Sequence, residues 1–422
     1  MNRCVVTGMG ILTSIGRDVE EFAVSLKKGT VGICDYIENE KKSFRCPIAK
    51  VKGFDLKEQA KRYANCNQDA LIGRILKTMR RYPKSLQMDV MAALEAYLQS
   101  GMDSSIPSDR KAVIVAGSNL GCNNQFEQYQ KYITDSELIL PSYAMNFFDT
   151  SLVGILSELF DFHGEGFSVG GASASGNSAI IKGMQLIQSG SMDSCMVLGT
   201  LADFSPVEVE SFFNLGAMCG SEKEPEQSCR PFDEAHAGFV LGQTAACIIL
   251  EVEEVAKQRG ADALAQLVSG TIKLHGSRLT DADEEYEYKT MKDALESAGM
   301  TMDEITYINA HATSTPMGDI TEVNAIKRIV QESLQKRKCY VNSTKGFIGH
   351  GIYSAGVAEA IASIIQMRDG FAHPNANLTQ PIDSELTLVG QESLDVKIDA
   401  CMSNSFGFGG INSTIILKRS GF

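Results

Sequence analysis

No run of 18 or more apolar residues occurs in this 422-residue chain, so the sequence offers no membrane span. Basic charge is in short supply. Thirty-nine lysines and arginines stand against 52 aspartates and glutamates, a formal net charge of −13. That balance argues against a nucleic-acid partner, because phosphate contacts need clustered cations. Cysteine pairs are missing too: none of the eleven cysteines forms a CxxC, and no histidine sits beside a cysteine at metal-ligand spacing. No metal is therefore expected, and free buried thiols in a reducing cytoplasm fit this usage. The opening MNRCVVTGMGIL has no convincing small-residue cleavage site after it and reads as a buried first strand rather than a signal peptide. No low-complexity segment and no Gly/Ser- or Pro-rich linker interrupts the chain. With 44% hydrophobic residues, it has enough apolar material for one large core or two packed halves.

Strand-like runs alternate with amphipathic helical stretches throughout, the pattern of α/β architecture. The runs at 4–9, 111–117, 194–200 and 245–251 are answered in the second half by 305–311, 339–344 and 413–419. The stretch 251–263 reads as a short helix ending at Gly260 and as the seam between halves spanning 1–252 and 253–422. Any internal repeat is structural rather than literal. The polar segment 219–237 reads either as a surface loop or as a loop bordering a site.

Four segments carry residues suited to chemistry. In FSVGGASASGNSAIIKGMQLI (167–187), a strand ends in small residues and Ser173 opens a helix. Such a position meets unsatisfied N–H groups that favour developing negative charge. Taken alone, a serine there is more often an N-cap than a nucleophile. His311 ends a strand in INAHATSTPMGDITEVNAI (308–326). Lys345, His350 and Glu359 lie in VNSTKGFIGHGIYSAGVAEAI (341–361), where Lys345 and Glu359 suit an ion pair and His350 suits a turn cap. SNSFGFGGINSTI (403–415) ends the series with a glycine-rich turn. Each is a weak signal by itself.

Together the four segments resemble a β-ketoacyl-acyl carrier protein synthase, and the likeness runs from VVTGMG to NSFGFGGIN. RPFDEAHAGFVLG (230–242), HATSTPMGD and STKGFIGH match the family's remaining motifs, with Ala312 replacing a glycine. The resemblance implies a thiolase fold, layered α/β/α/β/α from two similar βαβαβ-type halves. The first half would carry Ser173, and the second His311, Lys345, His350 and Phe408. It implies catalytic roles for the residue-173 position, His311, His350 and Lys345, with Glu359 in support. Thr313 and Thr315 would bind the pantetheine arm, and Phe408 would gate the acyl pocket. The backbone N–H groups of Ser173 and Phe408 would form the oxyanion hole.

The departure is Ser173. The family's nucleophile is a cysteine, and the turn here reads GASASG (171–176). A serine hydroxyl is a far weaker nucleophile unless an adjacent base activates it. Decarboxylation of a malonyl thioester needs no nucleophile, only donors to the enolate oxygen, and both histidines are present. The chain therefore resembles the decarboxylating ketosynthases of polyketide β-branching cassettes, which convert malonyl-acyl carrier protein to acetyl-acyl carrier protein and CO2. The alternatives are a Ser173-acylating acyltransferase or condensing ketosynthase, and a non-catalytic subunit like a chain-length factor. Cys122 and Cys219 open no helix in the right motif and read as buried, inert thiols. The implied partner is a malonyl-loaded acyl carrier protein. It brings its own phosphopantetheine, so no cofactor of the chain's own is expected. Arg74, Lys77, Arg80, Arg81 and Lys84 form the candidate docking face for that acidic partner. The family likeness also implies a homodimer.

Overall fold

The computed structural model describes residues 1–421 apart from 39–44, 65, 67, 118–120, 221–223 and 336. Its main sheet system is built twice from one pattern. In the first half the strands lie in the order Gly166–Val169, Lys111–Ala116, Ser194–Gly199, Ala245–Val252, Cys4–Leu12. The first three run parallel, and the last two join antiparallel. In the second half the order is Tyr340–Asn342, Tyr307–Asn309, Ala400–Gly407, Ile411–Lys418, Ala265–Leu274, again three parallel and two antiparallel. Thr387–Leu388 adds a short strand at the far edge. The halves meet where Cys4, Val5 and Val6 pair with Leu267, Gln266 and Ala265.

Alternation along the strands sorts the core into layers. Ile114, Val197, Ile248 and Leu250 face the centre, where they meet Ile180, Ile181, Ile361 and Ile365. Val113, Val115, Leu198 and Ile249, one residue out of phase, face an outer layer with Leu94, Leu156 and Phe160. The second half has its own outer layer around Met291, Leu295, Ile326 and Ile329. Strands covered on both faces read as continuous apolar runs; every residue of Ala245–Val252 is buried. The layered arrangement from two like halves is the one the thiolase resemblance implies.

The central layer holds helices Ser175–Ser189 and Ala355–Asp369. Each follows a 3-10 turn, Ala172–Ala174 in one case and Ile352–Ser354 in the other. Each turn begins at a left-handed non-glycine residue, Ala172 with φ 48° and Ile352 with φ 53°. Their first turns touch backbone on backbone. A Cβ on Gly176 would lie 2.8 Å from Gly356 N, and one on Gly356 would lie 2.5 Å from Asn177 N.

Several readings shift in the structure. The strand read over 305–311 is only Tyr307–Asn309; Ala310 N–H still reaches Asn342 O at 2.9 Å, and the two N–H groups after it leave the ladder for the carboxylate of Glu322. His311 N donates to Oε1 at 2.9 Å and Ala312 N to Oε2 at 2.7 Å. The helix at the seam is Glu253–Gln258, with Gly260 in the left-handed conformation beyond it. Not all of the cysteines are buried: Cys34 and Cys66 are exposed and Cys122 is half-buried. Among the described residues no helix is long and apolar enough to cross a membrane. Of the polar segment 219–237, residues 221–223 lie outside the described residues. Phe239, just beyond it, packs against a site histidine.

Candidate active site

Ser173 sits in the short turn before the first central helix, buried at 7% exposure. It is not an N-cap: the cap position of Ser175–Ser189 is Ala174, with no side-chain cap bond. Its hydroxyl instead lies 2.7 Å from Nε2 of His350. The other ring nitrogen of His350, Nδ1, accepts the backbone N–H of Ile352 at 3.2 Å, so the imidazole does cap its turn. An imidazole that accepts at Nδ1 carries its proton on Nε2. His350 therefore donates to Ser173 Oγ rather than drawing a proton from it. The backbone of His350 is fixed by the 238–242 segment. His350 N donates to Val240 O at 2.6 Å, and the Phe239 ring stands edge-on to the imidazole, 5.7 Å between centroids.

The His311 ring lies 5.4 Å from that of His350, at an interplanar angle of 81°. Phe406 packs against its other side at 5.8 Å. Its Nδ1 is buried without a hydrogen-bond partner. Burial first, then the positive charge of Lys345, holds both imidazoles well below the usual histidine range. Both are therefore neutral near pH 7, able to donate a hydrogen bond without carrying charge.

Lys345 does not line the cavity. Its ammonium is ion-paired with Glu359, and both side chains are at most 2% exposed. Burial pushes the Glu359 carboxyl up to about 7, against the pull of Lys345. Lys345 acts on the rings through its positive charge, which the pairing holds in place. Glu322, the anchor of the His311 backbone, is pushed up to about 7 by burial and drawn back by its N–H donors. Asn404 Nδ2 supplies a third bond to Glu322 Oε1 at 3.1 Å.

Ser173, His311 and His350 share one cavity of about 350 Å3. Phe212, Leu215, Phe239, Phe406 and Phe408 supply apolar wall, while Thr313 and Thr315 stand on another side with their hydroxyls 2.9 Å apart. Phe408 is 38% exposed, and its ring is 6.4 Å from that of Phe212. Gly407 brings it there. A Cβ at Gly407 would lie 2.5 Å from Gly171 O and 3.3 Å from Ser173 N. The turn before Phe408 thus rests directly on the Ser173 turn.

The five basic residues read as a docking face are all exposed, though Arg74 donates Nη2 to Leu159 O at 2.7 Å and so also ties two helices together. Arg81 and Lys84 border a separate open groove of about 650 Å3, alongside Lys50, Lys52 and Lys131. That groove and the histidine cavity share no lining residue.

Residues 1–256 match the family model for the β-ketoacyl synthase N-terminal domain, and residues 264–379 match that for its C-terminal domain. The chain belongs to the β-ketoacyl synthase family. It is 34% identical over 418 residues to the polyketide biosynthesis malonyl-ACP decarboxylase PksF of Bacillus subtilis, covering 98% of this chain and 96% of that one. It is 31% identical over 423 residues to 3-oxoacyl-[acyl-carrier-protein] synthase 2 of Coxiella burnetii, covering 99% and 98%. A type II polyketide ketosynthase solved in complex with its acyl-carrier protein superposes with a TM-score of 0.86 at 25% identity, covering 99% of both chains. A β-ketoacyl synthase from Burkholderia phymatum gives 0.85 at 27%, covering 100% of both. The fold is thus the thiolase fold of ketosynthases.

Motif reading missed Glu322, Phe239, Phe406 and Gly407, which position the histidines and Phe408. Glu322 left a signal. It falls with Asp319, Val323, Ile326 and Ile329 on the buried stripe of helix Pro316–Gln331, where a carboxylate needs a partner.

Proposed function

We propose that this β-ketoacyl synthase relative decarboxylates malonyl-acyl carrier protein to acetyl-acyl carrier protein and CO2, supplying acetyl units for polyketide β-branching. The observation that carries this reading is the tautomer of His350. With Nδ1 taken by Ile352 N–H, its Nε2–H is a donor into the cavity. A ring in that state does not activate Ser173 as a nucleophile, but it does suit an oxygen that gains negative charge. The serine at position 173 and the likeness to PksF point the same way.

In this mechanism the thioester oxygen of the malonyl group takes the place beside His350 Nε2, with His311 as the second donor. Breaking the bond to the carboxylate sends an electron pair into the enolate, whose oxygen the imidazoles stabilise as CO2 leaves. The aromatic walls keep the reaction out of bulk water, which strengthens those bonds. Thr313 and Thr315 hold the pantetheine arm, Phe408 closes over the acyl end, and the Ser173 and Phe408 N–H groups complete the anion-stabilising wall. Burial and the positive charge of Lys345, held in place by Glu359, keep the imidazoles neutral.

Malonyl-loaded carrier protein incubated with the purified chain is expected to lose the mass of CO2. Malonyl species that persist at the uncatalysed rate refute the activity. His311→Ala and His350→Ala should each slow the reaction at least about tenfold, since one such donor is commonly worth about 3 kcal/mol; unchanged rates in both remove the histidines from the mechanism. For docking we favour the face carrying Lys77, Arg80, Arg81 and Lys84, on a chain that works as a homodimer. Reversing charge at Arg80 and Arg81 should weaken carrier binding with the fold intact, and equal binding would move the docking face elsewhere.

A further inference from the structure

Decarboxylation leaves an enolate, and an acetyl product requires a proton at its carbon. Water at the cavity mouth is one source. The cavity wall holds another. Glu287 lies on helix Glu284–Ala298, on the buried stripe with Met291, Ala294 and Leu295, and is 1% exposed. It lines the same cavity as Ser173, His311 and His350. Its Oε2 is buried without a hydrogen-bond partner. An unpartnered carboxyl on an apolar stripe is a burden on the fold, and a group that persists under such a burden in a reaction chamber is a candidate for chemistry.

We propose that Glu287 delivers the proton that converts the enolate carbon into the acetyl methyl group. This rests on the decarboxylase reading above. The bond between the α-carbon and the departing carboxylate breaks, and its electron pair enters the enolate. The α-carbon then takes the hydrogen of the Glu287 carboxyl, leaving a carboxylate that solvent reprotonates before the next turnover. One proton is consumed for each CO2 released. Protonation also commits the reaction, because an enolate left waiting beside CO2 is able to recapture it.

The surroundings of Glu287 favour this role. Burial raises its carboxyl well above the usual range, and the negative charges of Glu322, Asp283 and Glu284 raise it further. The acid form is therefore the resident one. The other titratable groups on the cavity wall serve less well. Glu322 has both oxygens committed to N–H donors. His311 and His350 are neutral rings suited to the enolate oxygen. His275 is tied through Nδ1 to Asn412 Nδ2 at 3.1 Å. Asp281 is exposed to solvent.

The test compares wild type, Glu287→Gln and Glu287→Asp on malonyl-loaded carrier protein in buffer charged with 13CO2. Glutamine keeps the volume and removes the acidic proton; aspartate keeps the acid on a shorter arm. Glu287→Gln should form acetyl-carrier protein at least about tenfold more slowly, the low end for losing a positioned acid. Its remaining malonyl groups should gain 13C by recapture, and those of wild type should not. The wild-type rate should fall as pH rises through the raised carboxyl pKa, a limb that Glu287→Asp keeps and Glu287→Gln loses. Glu287→Gln turning over at the wild-type rate overturns the proposal. So does a slow Glu287→Gln with no 13C uptake and an unaltered pH limb, which would mark a structural role. An inert wild type overturns the decarboxylase reading itself, and with it this inference.

Discussion

Gly407 rests on Gly171 so closely that a Cβ built on it would stand 2.5 Å from the Gly171 carbonyl oxygen. The strand that delivers Phe408 and the turn that delivers Ser173 are in backbone contact, with no side chain between them. Gly407→Ala must push the two apart. We expect a drop in thermal stability corresponding to about 1–3 kcal/mol, as overpacking elsewhere produces. Turnover should fall further than stability if the displaced peptide belongs to the proposed anion-stabilising wall. Unchanged kinetics for a folded Gly407→Ala would detach this contact from catalysis.

Ser173 accepts from His350, so its hydroxyl is not a poised nucleophile. Ser173→Ala should keep decarboxylation within a few-fold of wild type. Ser173→Cys should acquire a stable acyl adduct, visible by intact-protein mass spectrometry, because a thiolate at this turn is far more reactive. Loss of decarboxylation in the alanine variant, with an acyl adduct on wild-type Ser173, would favour the acylating alternative.

The Lys345–Glu359 pair is buried, and a buried charge without its partner is strongly unfavourable. Lys345→Met leaves Glu359 alone and should destabilise the chain by about 3–5 kcal/mol, read by denaturant unfolding. Removing that positive charge should also let the pKa of His311 and of His350 rise. An NMR titration of the two rings checks the direction, and no rise would remove Lys345 from the list of causes.

His373 gives the protein an acid-sensitive element. It is fully buried, donates Nδ1–H to Pro374 O at 2.8 Å, and takes the Thr344 hydroxyl at Nε2 at 3.1 Å. Burial lowers its pKa to about 4, against the opposing pull of its backbone hydrogen bonds. The unfolded chain takes up this proton near pH 6.5, and the folded chain resists it. The stability is therefore whole above about pH 6.5 and is lost as pH falls through about 4, a total of about 3 kcal/mol. His373→Gln should flatten that acid limb in a plot of unfolding free energy against pH, and an equally steep limb would assign it to other groups.

The duplicated strand pattern was legible because strands covered on both faces must be apolar throughout, as Ala245–Val252 is. Ser173, His311 and His350 were legible because each sits in a compact motif at the end of a strand. Glu287 and Glu322 were not. Glu287 lies in DADEEYEYKT, where four other acids make it look like one more solvated charge; only its place on the buried stripe separates it. The cap at His350 was legible, but the tautomer was not, because it depends on which ring nitrogen meets the N–H of Ile352. Cys122 was read as buried because free cysteines usually are, yet it opens an exposed helix on the surface.

The meeting of Gly176 and Gly356 limits how this molecule is able to move. Two central helices that touch through their main chains have no soft layer along which to slide, so Ser173 and His350, each anchored just ahead of one helix, keep their separation whatever occupies the chamber. Admission and release then fall to the rim. There Gly409 and Gly410 follow Phe408 in left-handed conformations, and their bonds to Leu279 O and from His275 N, each 3.0 Å, fix the turn from which that ring stands over the mouth.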